Sequence, residues 1–309
     1  MLYPLKFRPV VKPKIWGQEI WVLSAQGDCL SVVENGFLAD NDLSELIEIY
    51  MGDLVGDMVF EAFGNDFPLL FKFITANDKL SVQVHPDDDF AWQHHQSLGK
   101  TEMWLVTNAQ PDANIILGLN QELTKEQIKT HLKQNSLHEV LNYVPVQKDD
   151  VVIIEPGTIH SLGAGVSVAE IQQSSDITYR LYDYDRRDAN GNTRELHIDK
   201  ALQVAQLKQI KQPKVNYSEV VNGAVNLHTC SYFTTNLLSI NRTIMRDYTI
   251  LDSFVVILCT EGQIIIKAEE TDNVKLKAGE VCLLPAEMEE VSFITNCKTK
   301  LLEVYIDQL

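Results

Sequence analysis

The chain has 309 residues, 45% of them hydrophobic and 22% charged, the composition of a globular protein with a substantial core and room for about two domains. Its 26 lysines and arginines face 43 aspartates and glutamates, a formal charge of −17 that repels phosphate backbones and anionic bilayers and so argues against nucleic-acid and membrane partners. If the ligand is an anionic small molecule, the few cations must gather where it sits.

Residues 1–37 are punctuated by prolines and carry Trp16 and Trp21, which suits an extended segment laid over a core. From 43 to 59 the apolar residues Leu43, Leu46, Ile47, Tyr50, Leu54 and Val55 recur at spacings of three and four, predicting a helix capped by Asp42. The period then changes: 69–75 and 80–85 read as strands separated by the Asn77-Asp78 turn. Thr124 with Gln127 forms a capping-box pattern that opens a helix over 124–142. Strands follow at 144–146, 151–154, 166–171 and 178–184. A turn is expected at Asn190-Gly191, and a helix over 196–208. The polar, proline-bearing stretch 209–214 marks a domain boundary, giving a metal-binding domain over 1–214 with helical insertions and a β domain over 215–309. The latter reads as short strands at even spacing, the pattern of a sandwich or jelly roll. Its Lys277-Ala278-Gly279-Glu280, strand, Pro285 echoes Lys148-Asp149-Asp150, strand, Glu155-Pro156-Gly157 in the first half. The C-terminal copy has no histidine at the matching place, so the second barrel is expected to be structural. The fold class is therefore mainly β: two jelly-roll barrels with a few inserted helices.

The five cysteines (Cys29, Cys230, Cys259, Cys282, Cys297) are scattered without a C-x-x-C pair, as free thiols in a reducing cytoplasm would be. The N-terminal residues lack the apolar core of a signal peptide, and the longest apolar run, 254–259, is too short to span a bilayer. The expectation is a cytoplasmic protein.

Three stretches carry chemistry. In Ser81-Val82-Gln83-Val84-His85 the polar residues alternate with valines, so Ser81, Gln83 and His85 share one strand face and the valines pack on the other, against the second sheet. A strand with a solvated face explains this equally well. Glu102 opens the apolar run 103–106, where a carboxylate is costly unless paired or metal-bound; an edge position is the bland alternative. Pro156-Gly157 then delivers His160 to the start of a strand, pointing inward, where a lone histidine is ordinarily a hydrogen-bonded core residue. Taken together, two imidazoles, one carboxylate and one amide oxygen form a Zn²⁺ site left open to substrate oxygens. With Glu102 its single anion, that site keeps a formal +1 for polarising a sugar carbonyl and hydroxyl. The remaining histidines (His94, His95, His131, His138, His197, His228) lie in polar or helical stretches and are read as structural or exposed. Cations supply the second half: Arg180, Lys100 and Arg186 can bind a phosphate dianion or a developing oxyanion. Against this, Glu170 could simply pair with Arg180, and Arg186-Arg187 could be a solvated surface pair.

At these residues the chain resembles the type I phosphomannose isomerases in their short bacterial form. The matching stretches are Tyr3-Pro4-Leu5-Lys6-Phe7-Arg8-Pro9 with Trp16-Gly17, Leu80 to Asp88, Gly99 to Trp104, Pro156 to His160 and Gln173 to Arg180, in order and spacing. Gln18 departs from the family's usual second glycine. The resemblance implies a cupin fold and the zinc-dependent interconversion of mannose 6-phosphate and fructose 6-phosphate through an enediol. By position it implies Gln83, His85, Glu102 and His160 as metal ligands, with Arg180, Lys100 and Glu170 as catalytic residues. Ser81, Lys100 and Arg186 are then the expected phosphate contacts. One zinc per chain, a sugar-phosphate substrate and a monomer or weak homodimer complete the expectation. The rival readings are a metal-dependent cupin oxygenase, which ordinarily carries His-x-His closely followed by Glu, and a non-catalytic sugar-phosphate-binding cupin.

Overall fold

The computed structural model describes residues 1–188 and 190–307. The chain is mainly β and forms two compact units that interleave in sequence: Met1–Val10, Trp21–Phe71 and the chain from Asn216 onward make one; Val11–Ile20 and Lys72–Val215 make the other. This corrects the expected division into consecutive blocks 1–214 and 215–309. The reason is long-range pairing. The Leu5–Lys6 strand adds to Val281–Leu284, with Leu5 opposite Leu283, and the end of the Leu43–Val55 helix accepts hydrogen bonds from Phe254 and Ala286.

That first unit holds a six-stranded antiparallel sheet running from Leu5–Lys6 through Val281–Leu284, Val255–Glu261, Thr299–Tyr305 and Thr234–Ile240 to Gly223–Thr229, and a second, four-stranded sheet. Asp42 caps its helix through a capping box, as its spacing predicts, but the helix stops at Val55. Gly56 (φ +93°) separates it from a further helix, Asp57–Phe63.

The other unit holds the larger part of two further sheets. One runs Val151–Ile154, Glu102–Ala109, Val166–Gln173, Leu69–Ala76, Gly17–Leu23, Val10–Lys14; the other runs Leu141–Pro145, Asn114–Leu119, His160–Leu162, Val82–Val84, Tyr179–Tyr182. Inward side chains of both, such as Ile74, Trp104 and Val152 from the first and Ile115, Leu117 and Leu162 from the second, bury one another as a shared core. The outer face of the five-stranded sheet is covered by helices: Val82, Val84 and Leu181 pack with Ile128 of the Lys125–Lys133 helix and with Ala201 and Leu202 of the Ile198–Val204 helix. Valines 82 and 84 therefore lie under helices rather than against the second sheet. Their burial there is what turns Gln83 and His85 inward.

All three expected helices are shorter than their patterns suggest, the one read over 196–208 running only Ile198–Val204. The Thr124 capping box forms, but the helix ends at Lys133 and the chain continues as a single 3₁₀ turn and the Leu141–Pro145 strand. Among the described residues no helix is long and apolar enough to cross a membrane.

One glycine is fixed by close approach. A Cβ on Gly17 (φ +151°) would lie 2.0 Å from the carbonyl oxygen of Thr75, at a point where the Trp16 carbonyl accepts from both Asn77 and Asp78. Gly17→Ala is expected to destabilise the protein by about 3 kcal/mol or more, because backbone rather than a flexible side chain must move. Urea unfolding measures this, and an unshifted midpoint refutes it.

Candidate metal centre and its cavity

Each expected ligand is delivered by a strand. His160 opens the His160–Leu162 strand directly opposite Gln83, and His85 follows the end of Val82–Val84. Glu102 is the first residue of Glu102–Ala109, paired with Ile154 on one side and Gln172 on the other. The outcome is one nitrogen from His85, one from His160 and one carboxylate oxygen of Glu102 within 4.8 Å of one another, all buried. Among the described residues it is the one such His, Cys, Asp or Glu group.

The hydrogen bonds settle which imidazole atoms face inward. His85 Nδ1–H donates to the Ile177 carbonyl (2.8 Å) and His160 Nδ1–H to the Thr158 carbonyl (2.9 Å), so both Nε2 atoms present lone pairs. His85 Nε2 stands 3.3 Å from Glu102 Oε1, and His160 Nε2 3.8 Å from Glu102 Oε2. Neither His85 Nε2 nor Glu102 Oε2 has a hydrogen-bond partner, although both are buried. Two acceptors facing each other in the dry interior are costly unless a cation lies between them. In a tetrahedral site with bonds of about 2.0–2.1 Å, ligand atoms lie about 3.3 Å apart; the His85–Glu102 pair stands at that distance and the His160–Glu102 pair is wider, at 3.8 Å. The donor set therefore fits a divalent metal ion.

Charge and burial agree with this. Burial, then the charge of Lys100, push His85 down to about 3, and burial lowers His160 as well, so both rings are neutral and free to bind a metal at neutral pH. Burial alone would lift Glu102, but Lys100 at 3.1 Å holds it well below the usual carboxylate range. Gln83 is brought to the same place with its nitrogen inward: Nε2 lies 3.3 Å from His160 Nε2, and Oε1 accepts from Ser81 Oγ at 3.5 Å.

Glu102 and Gln83 open onto a cavity of about 290 Å³, near the lower limit for small-molecule sites. Five cations reach its wall (Lys14, Lys72, Lys100, Arg180, Arg194) against four acids (Glu19, Glu102, Glu170, Asp176). In a chain of charge −17 that local excess is the concentration of cations an anionic ligand requires. Arg180 lies across from Gln83 and donates to Ser81 Oγ (3.3 Å) and the Glu195 carbonyl (2.8 Å); no carboxylate pairs with it among the described residues. Glu170 is thus not its partner. Instead Glu170 accepts from Lys72 Nζ (3.0 Å) and from the Trp104 indole (2.7 Å), and Lys72 also reaches Gln172 at 2.5 Å.

Arg186 is elsewhere. Its guanidinium donates to the Lys79 carbonyl (2.7 Å) and approaches Asp183 and Asp78 at 3.3 and 3.4 Å, and it is not among the residues that line this cavity. The second arginine on the wall is Arg194, inconspicuous in a polar loop sequence. Lys72 was detectable in principle, as a cation in the middle of the apolar run Leu69-Leu70-Phe71-Lys72-Phe73-Ile74.

A model of the phosphomannose isomerase type I catalytic domain matches residues 8–117, and one of the mannose-6-phosphate isomerase cupin domain matches residues 223–305. The first spans Gln83, His85, Lys100 and Glu102; His160 and Arg180 lie outside both. The chain is 39% identical over 253 residues to mannose-6-phosphate isomerase ManA of Bacillus subtilis, covering 75% of this chain and 78% of that one. It is 31% identical over 315 residues to mannose-6-phosphate isomerase of Streptococcus mutans, covering 95% and 96%. The crystal structure of the mannose 6-phosphate isomerase from Bacillus subtilis superposes with a TM-score of 0.87 at 30% identity, over 98% of this chain and 99% of that one. With matches at both ends of the sequence and a fold shared over nearly its whole length, the chain belongs to the type I phosphomannose isomerase family.

Proposed function

We propose that this chain interconverts mannose 6-phosphate and fructose 6-phosphate in the cavity beside Glu102, with one zinc ion per chain held by His85, Glu102 and His160, and with Gln83 joining through its carbonyl oxygen once the amide turns about its last bond. The observation that carries the reading is the buried His85, Glu102, His160 group with unpartnered acceptors, opening onto a cation-rich cavity. Relatives of similar length named for this reaction support it.

When bound, the metal supplies a Lewis acid for the sugar's carbonyl and hydroxyl oxygens. The chain's own groups do the rest. Aldose–ketose isomerisation moves a proton between adjacent carbons and places negative charge on their oxygens. Among the described residues Arg180 bonds only to neutral oxygens, so its full charge is available to that oxyanion, while Ser81 fixes its Nε. Lys100, bridged to Glu102, offers its remaining ammonium hydrogens to the substrate. Glu170, oriented by Lys72 and Trp104, is a carboxylate on the wall able to hold the migrating proton; burial and the charge of Glu102 raise its pKa. The first unit, where a buried Glu303 is satisfied by Arg246, Tyr248 and Asn236, takes no part in this chemistry. The same reading makes the protein a cytoplasmic monomer or weak homodimer, in keeping with its acidic charge and scattered free cysteines.

The test is a coupled isomerase assay on mannose 6-phosphate. Activity is expected to vanish after chelation and return with stoichiometric zinc. Binding without turnover, or oxygen consumption in its place, overturns the proposal.

A further inference from the structure

Arg194 is held in an unusual way for a residue of a polar loop. Its Nε and Nη2 form a fork with Asp183, at 2.7 Å to Oδ2 and 2.5 Å to Oδ1, while Nη1 bonds to nothing among the described residues. Asp183 is only 5% exposed and also takes Arg186 at 3.3 Å. The chain around Arg194 is pinned to the Tyr179–Tyr182 strand: the Glu195 carbonyl accepts from Arg180, His197 N–H donates to the Arg180 carbonyl at 2.7 Å, and Arg180 N–H donates to His197 Nδ1 at 3.2 Å. A loop side chain is thereby fixed on the cavity wall that also carries the Arg180 guanidinium, and among the described residues no carboxylate pairs with Arg180. Burial, then the charge of Arg194, lower the Arg180 pKa, while Asp183 and Glu195 act to raise it. A pair of guanidinium charges is relieved by an anion that both can reach, and a free N–H edge on a guanidinium suits a tetrahedral oxyanion.

We propose that Arg194 receives the phosphate monoester of the substrate, taking the part the sequence suggests for Arg186, and that Asp183 is a positioning residue acting through Arg194. The assignment rests on the sugar-phosphate reading of this cavity but is testable apart from turnover. The probe is inorganic phosphate, titrated calorimetrically into the full-length, metal-loaded protein. Arg194→Ala is expected to weaken phosphate binding roughly ten- to a hundred-fold. It leaves Asp183 paired with Arg186, so the fold is retained. In the isomerase assay KM for mannose 6-phosphate rises far more than kcat falls, and Arg194→Lys recovers part of the loss. Asp183→Asn weakens phosphate binding on its own but adds nothing in the Arg194→Ala background, as required of a group acting through another. Phosphate affinity unchanged by Arg194→Ala, a parent protein that does not bind phosphate, or an Asp183→Asn effect that persists without Arg194 overturns the proposal. If the protein binds phosphate through Arg194 but turns over no mannose 6-phosphate, the isomerase reading fails while this one stands.

Discussion

Replacing Glu102 with glutamine is expected to abolish metal binding at stoichiometric zinc and to lower turnover by roughly 10³-fold or more, since a directly ligating group matters more than the surrounding ones, whose loss costs about 10- to 100-fold in affinity. The substitution nearly preserves shape but removes the one anion of the group, leaving two neutral imidazoles that hold a divalent ion only weakly. A second effect has to be separated from the first. Lys100, 4% exposed and 3.1 Å from Glu102 Oε1, loses its one carboxylate partner among the described residues, and an uncompensated buried ammonium destabilises by about 3–5 kcal/mol. Lys100→Met combined with Glu102→Gln removes both charges and is expected to recover most of that stability without recovering the metal. Metal analysis beside thermal unfolding distinguishes the two effects. A single variant that keeps one zinc per chain and near-parental turnover refutes the assignment.

How much of this could be read beforehand depended on the range over which each signal acts. The two-residue alternation at Ser81, Gln83 and His85 was a local pattern and correctly implied a common face. What lies behind that face was not local: Val82 and Val84 are covered by Ile128, Ala201 and Leu202, distant in sequence, and nothing in the strand distinguishes a helix from a sheet as cover. His160 was legible as an inward histidine after a Pro-Gly turn, while its place opposite Gln83 is set by pairing across 77 positions. Asp42 as an N-cap and the capping-box pattern at Thr124 gave these two helix starts because a cap is a contact within four residues; the helix ends, lacking such motifs, were overextended to 59 and 142. The Asp88–His95 helix escaped notice because Ala91 is its one buried residue, too little for an apolar stripe. Arginines were the hardest case. Arg186 and Arg194 both reach Asp183, and the fork geometry that holds one on the cavity wall and leaves the other on Lys79 and Asp78 has no signature in a loop sequence.

Arg180→Ala is expected to lower kcat by about 10²–10³-fold while zinc stays at one per chain. The two halves of that outcome have separate physical causes. Arg180 bonds to Ser81 Oγ and the Glu195 carbonyl, so its removal strands no charge and leaves the His85, Glu102, His160 group intact; metal content and unfolding midpoint should change little. The lost interaction matters most where negative charge develops, so kcat should fall by a larger factor than KM rises, the reverse of the pattern expected for Arg194→Ala. Arg180→Lys tests geometry against charge. An ammonium keeps the positive charge but cannot hold Ser81 and the Glu195 carbonyl while presenting a second planar edge to two adjacent oxygens, so recovery should be partial. Near-parental kcat in Arg180→Ala with zinc in place removes Arg180 from the chemistry, and loss of zinc in that variant shows that the guanidinium supports the metal group rather than the oxyanion.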